Sequence, residues 1–250
     1  MRITPGFVLT ALLSLAATPA ALAANVVINE IMYFPASGNL HESYIELYNT
    51  DTVAADLSGW AFTKGLHFSF PANTLLAPGA YLVVAADASA FVAKYPGITN
   101  FLAGWVPPMG TQVILADGAG KVVSEVHYSN DGDWAVRYLS APMYAHQGWE
   151  WSAPYDGAGA SLELINSGLP NSYALNWGPS AVSNGTPGRA NSIAQTNIAP
   201  FITSVTHSPV VPHPTDGRMP TRQPAAGPSA RDLPLVVRAL FAGPPPVFCL

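Results

Sequence analysis

The sequence predicts an all-β protein, a sandwich of short strands. Three observations carry that prediction. Apolar residues alternate with period two, Gly and Pro break the alternation every few residues, and one short stretch alone reads as helix. Of the 250 residues, 49% are hydrophobic and 10% charged, which is enough apolar surface for a core. Cys249 is the single cysteine, so a cystine framework plays no part.

Residues 26–33 are β-branched and apolar, a strand in which strict alternation puts Val26, Ile28 and Glu30 on one face. Val27, Asn29 and Ile31 fall on the other. Residues 44–48 alternate as a second strand with Ile45 and Leu47 inward, and Asn49-Thr50-Asp51 is turn chemistry. Gly59 permits a sharp bend before a strand carrying Trp60 and Phe62 on one face. Residues 67–70 alternate again up to Pro71, and residues 81–85 form the next strand. The helical stretch is residues 88–95, with Asp87 as N-cap and Pro96-Gly97 as stop. Residues 112–115 and 121–126 flank Asp117-Gly118-Ala119-Gly120, a hairpin signal. Residues 161–164 read as a late strand, and Asn184-Gly185-Thr186-Pro187-Gly188 as a closing turn. No repeat of 20–50 residues and no heptad run is present.

The first 23 residues read as a secretory signal peptide. Arg2 gives a positive start, residues 8–15 an apolar run, and Ala21-Leu22-Ala23 a cleavage site after Ala23. The apolar run is short for a bilayer span, which takes ~20 apolar residues. The sequence therefore predicts export, to the periplasm, the cell surface or beyond, with no transmembrane segment in the mature chain. Residues 24–192 form the sandwich domain. Residues 193–216 are a linker, within which residues 201–206 alternate like a strand opening a second β domain. Residues 217–250 read as a disordered tail, rich in Pro and Arg and without strand alternation. Two accounts fit that abrupt shift: a native disordered tail, or a departure from the original reading frame near Asp216.

Charge excludes one class of partner. Between residues 24 and 216 the basic residues are Lys64, Lys94, Lys121, Arg137 and Arg189, well outnumbered by acids. Such a surface repels phosphate backbones, so direct nucleic-acid binding is not expected.

Several motifs together resemble the lamin-tail family, in its bacterial secreted form. They are Val27-Ile28-Asn29-Glu30-Ile31, Tyr44-Ile45-Glu46-Leu47-Tyr48-Asn49, and Asp56-Leu57-Ser58-Gly59-Trp60. Leu76-Ala77-Pro78-Gly79-Ala80-Tyr81-Leu82-Val83-Val84 follows, then Val113-Ile114-Leu115-Ala116-Asp117-Gly118-Ala119-Gly120. Gly159-Ala160-Ser161-Leu162-Glu163-Leu164 and Gly185-Thr186-Pro187-Gly188 complete the order. The resemblance spans residues 24–192 and implies an immunoglobulin-like β-sandwich, an accessory module without a shared catalytic constellation. Residues 101–109 and 134–155 depart from the family pattern, the latter as a long aromatic insertion. Glu30, Glu46, Asn49, Gly59 and Trp60 are the structural positions of the motifs. Carboxylates in such apolar strands face solvent or are satisfied by backbone N–H groups at a bend.

The common catalytic signatures are not present. The chain has no Gly-x-Ser-x-Gly, no His-Glu-x-x-His, and six scattered histidines. No enzyme activity is predicted. Two binding candidates stand out. The aromatic set Trp105, Trp134, Tyr138, Tyr144, Trp149, Trp151 and Tyr155 either forms an exposed contact platform or caps one end of the sandwich. Asp131 and Asp133, in Asn130-Asp131-Gly132-Asp133, are either Ca²⁺ ligands or an ordinary polar turn; no other cofactor is expected. The functional expectation is a secreted, non-catalytic module that contacts a protein or an extracellular polymer. The alternatives are an accessory fragment of a larger secreted hydrolase, and a calcium-assisted carbohydrate-binding module.

Overall fold

A computed structural model describes residues 25–198, together with the backbone of residues 201–207 and 235–240. The expected signal peptide lies outside the described residues, as does most of the tail. In chain order the elements are β1 (Val26–Met32), β2 (Tyr44–Asn49), β3 (Ala55–Asp56), β4 (Ala61–Lys64), β5 (Phe68–Ser69) and β6 (Leu75–Leu76). Then come β7 (Tyr81–Ala85), α1 (Ala88–Lys94), β8 (Phe101–Ala103), β9 (Gln112–Ala116) and β10 (Val122–His127). The rest are β11 (Val136–Leu139), β12 (Trp149–Ser152), β13 (Leu162–Leu164), β14 (Trp177–Pro179), β15 (Phe201–His207) and β16 (Leu235–Leu240).

Two sheets make the sandwich. One has six strands in the order β14-β13-β1-β2-β7-β8, the other four in the order β10-β9-β4-β5. The core fills the space between them. Ile28, Ile31, Ile45, Leu47, Val84 and Leu162 come from the larger sheet; Phe62, Phe70, Val113, Leu115 and Val126 come from the smaller. Each such side chain contributes about 1.5–3 kcal/mol on burial. Trp60 closes this core, and Gly59 before it has φ +74°, the left-handed region the bend requires. The all-β, immunoglobulin-like class is what the sequence predicts.

Strand β1 departs from strict alternation. Its register against β2 runs Ile28↔Leu47 and then Glu30↔Glu46, so Asn29 is an extra, bulged residue. The bulge flips the faces. Ile28 and Ile31 both enter the core, while Glu30 turns to the opposite side of the sheet. The expectation that Ile28 and Glu30 share a face is therefore corrected, because one unpaired residue shifts a period-two pattern by half a period.

The other side of the larger sheet is also covered. Met32, Tyr44, Val83 and Ala85 pack there beneath Phe91 of α1. Asp87 caps α1 as the sequence predicts, its Oδ1 accepting from the Ala90 amide at 2.8 Å. Seven strands were not read from the sequence: β3, β6, β8, β11, β12, β14 and β16. β8 pairs in parallel with β7, inside the stretch read as an irregular connection, where the Pro107–Pro108 peptide is cis. β16 pairs antiparallel with β15, inside the stretch read as lacking strand alternation; β15 covers the residues expected to be strand. Among the described residues no helix is long and apolar enough to cross a membrane.

Asn49 ends β2 with a buried carboxamide. Its Nδ2 serves the Val53, Leu76 and Ala77 carbonyls at 2.8, 2.9 and 3.2 Å, and its Oδ1 accepts from the Asp51 amide at 3.0 Å. Asn49→Ala leaves buried carbonyls without a donor. A loss of ~2–3 kcal/mol is expected in denaturant unfolding.

Candidate functional site

The aromatic set divides in two. Trp105 and Tyr155 are buried core residues, 3% and 0% exposed. The Trp105 indole donates to the Val84 carbonyl at 3.2 Å, and the Tyr155 hydroxyl to the Trp134 carbonyl at 2.6 Å. A contact role for these two is corrected: their polar tips find backbone partners, so their rings can sit in the core. Trp134 is half-buried, its ring centroid 6.3 Å from that of Trp177. Tyr138, Tyr144, Trp149 and Trp151 are exposed.

Three of the exposed four lie on an arm. β11 and β12 pair only with each other, in the register Arg137↔Trp151, Tyr138↔Glu150 and Leu139↔Trp149. Arg137, Leu139, Trp149 and Trp151 thus share one face, and all are exposed. The Arg137 guanidinium stands 6.0 Å from the Trp149 ring centroid. On the opposite face the Tyr138 hydroxyl donates to Glu150 Oε2 at 2.7 Å, and this bond to a carboxylate holds the phenol above its usual range. Tyr144 sits in the connection between the strands, 92% exposed. The arm's base is fixed by Trp134 and Tyr155, so the buried members of the set carry the exposed ones.

Asp131 and Asp133 lie at the foot of this arm. Asp131 precedes a 3₁₀ turn, Gly132–Trp134, and takes a hydrogen bond from Ser129 Oγ. Asp133 is exposed within that turn. The neighbouring Asn130 Nδ2 donates to Asp156 at 2.7 Å. Among the described residues no group of three or more His, Cys, Asp or Glu side chains comes together as a metal site.

The outer side of the larger sheet holds a feature that sequence reasoning half saw. Glu30 pairs in register with Glu46 on β2 and with Glu163 on β13. All three are 0% exposed. The chain after β14 crosses them as a strap, residues 184–193. Glu30 Oε1 accepts from Tyr44 at 2.8 Å, Ser161 Oγ at 2.5 Å and the Thr186 amide at 2.8 Å. Glu46 accepts from Asn29 Nδ2 at 2.9 Å and the Gly188 amide at 2.5 Å. Glu163 accepts from Thr186 Oγ1 at 2.6 Å, Ser192 Oγ at 2.8 Å and the Ile193 amide at 3.1 Å. Asn191 Nδ2 adds bonds to the Asn29 and Leu164 carbonyls at 2.9 and 2.8 Å. The carboxylates are met by backbone amides, one of the two environments expected for Glu30 and Glu46. Glu163 and the strap's donors were missed. The legible signal was the Gly-rich closing turn, whose target only the fold reveals.

Residues 19–130 match the family model described as Lamin Tail Domain. Over these residues the chain carries a lamin tail domain. No curated protein matches the chain. The match ends soon after β10, yet the lamin-tail sandwich does not: β13 and β14 complete the larger sheet beside β1. The arm and the strap both lie beyond the matched residues.

Gly185 is the tightest point of the strap. It has φ +76°, and a Cβ there overlaps the Glu30 carboxylate, the Tyr44 hydroxyl and Ser161 Oγ. Gly59 has similar φ, +74°, with open space around it. Gly185→Ala is expected to cost more than ~3 kcal/mol and Gly59→Ala ~1 kcal/mol. Thermal melts of the two variants side by side check the difference.

Proposed function

We propose that this chain is an exported, non-catalytic contact module whose binding element is the β11–β12 arm. The observation that carries the reading is the exposed face of Trp149, Trp151, Leu139 and Arg137. A two-stranded ribbon alone is marginal in water, and large exposed aromatics in one patch are unusual on a monomer. Trp and Arg are also the residue types that dominate contact energetics. The ribbon reaches away from the sandwich, where a protein partner or an extracellular polymer meets it without steric hindrance from the core.

A second reading keeps the same module but makes it the accessory part of a larger secreted hydrolase. The pairing of β15 with β16, a β unit beyond the sandwich, favours it. Assistance by Ca²⁺ at Asp131 and Asp133 is a further part of the proposal, since both acids stand at the arm's foot.

The test is electrophoresis of the mature chain through gels containing soluble polysaccharides, with and without a chelator, alongside binding to exported proteins of its host. The double variant Trp149→Ala/Trp151→Ala is expected to lose about 30-fold or more in affinity, the ~2 kcal/mol of one hot spot, with an unchanged melting temperature. Equal binding by the variant discards the arm. Turnover of a hydrolase substrate panel discards the non-catalytic reading. Binding that survives chelation discards the calcium.

A further inference from the structure

Three carboxylates side by side in a buried sheet need either a cation or a proton. Among the described residues the ion pair present is Lys94 with Glu42, so no cation is paired with the glutamates beneath the strap. The groups that face Glu30 are Glu163 on β13, Glu46 and Tyr44 on β2, and Tyr95 after α1. From the strap, Thr186 and the neutral amides face it, while Arg189 is exposed.

Hydrogen-bond bookkeeping places the proton. Glu30 Oε1 already accepts three donors. Glu30 Oε2 has one neighbour, Thr186 Oγ1 at 3.5 Å. A threonine hydroxyl has a single hydrogen, and that of Thr186 is committed to Glu163 at 2.6 Å. Oε2 is thus the oxygen without a donor, set against a hydroxyl oxygen that can accept. We infer that Glu30 carries a proton on Oε2, on the side of Thr186 Oγ1, and that this proton locks the strap on the sheet. Loss of the proton leaves adjacent buried negative charges, relieved when the strap lifts and water enters.

Electrostatics supports the geometry. Burial, with the charge of Glu163 added, pushes the Glu30 carboxyl up to about 7 from 4.5, and burial with Glu30's charge pushes Glu46 up as well. A raised carboxyl means that the closed form binds the proton more tightly than the open one. Glu30's share of the lock is at full strength below pH 4.5 and is lost as pH rises through about 7. This is opposite in sign to the usual surface carboxylate, and it makes the strap a latch over the outer sheet that loosens as pH rises toward neutrality.

The experiment is hydrogen exchange of the full chain, read at the amides of Thr186 and residues 188–193 from pH 5 to 8 and corrected for the intrinsic pH dependence of exchange. Opening is expected to rise between pH 5 and 7, with Glu30's proton contributing up to about tenfold per pH unit. Glu30→Gln keeps the Oε1 acceptor and supplies N–H where the proton sits. It is expected to remove Glu30's proton from that slope and leave the strap better protected at pH 8 than in the wild type. Thr186→Val removes the hydroxyl that stands between Glu30 and Glu163 and is expected to open the strap already at pH 5. A flat wild-type profile overturns the latch, whatever the variants do, and so does an unchanged slope in Glu30→Gln.

Discussion

The single bulged residue Asn29 decides what each face of the larger sheet becomes. Before it, Ile28 points into the core; after it, Glu30 points away, and Ile31 returns to the core. Without the bulge Glu30 would stand between the two sheets among aliphatic side chains, at a cost no fold of this size can carry. With it, the acid meets Glu46 and Glu163 in one lateral row. The bulge also frees the Asn29 side chain to bridge Glu46 and Asn191, so the residue that breaks the ladder is itself part of the closure.

That row gives the outer face its own organisation. One half is apolar, where Phe91 of α1 covers Met32, Tyr44, Val83 and Ala85. The other half is polar and takes the strap. Tyr44 joins them, its ring packed at 5.8 Å on Phe91 and its hydroxyl on Glu30. Tyr95, after the helix, donates to the strap's Asn184 carbonyl at 2.8 Å. Helix, sheet and strap therefore share one set of contacts, and the strap cannot loosen without disturbing the helix end.

The arm follows the opposite logic. It is tied down at its root by Trp134 and Tyr155, and beyond that root β11 and β12 pair only with each other and expose their side chains. Sandwich and arm divide the work: the first supplies rigidity, the second supplies exposed aromatic surface. In the contact role proposed for it, an arm held on a rigid scaffold would lose less entropy on binding than a free loop.

Residues 26–33, 44–48, 81–85 and the 112–126 hairpin were legible in the sequence because each carries its own alternation and its own turn residues. The same holds for α1, announced by Asp87 and stopped at Pro96. Local chemistry encodes local structure, and the lamin-tail motifs are made of such segments. What the sequence could not show depends on pairing at a distance. β8 is three residues long and acquires its strand character only from β7. Glu163 looks like the outward residue of an ordinary alternating strand, until register sets it beside Glu30 and residues 186–193 close over it. Trp105 and Trp151 read alike in sequence, yet one is core and the other surface. Composition and periodicity determined the all-β class and most of its strands; only the tertiary structure decided which polar and aromatic groups are buried, because burial depends on what the rest of the chain lays over them.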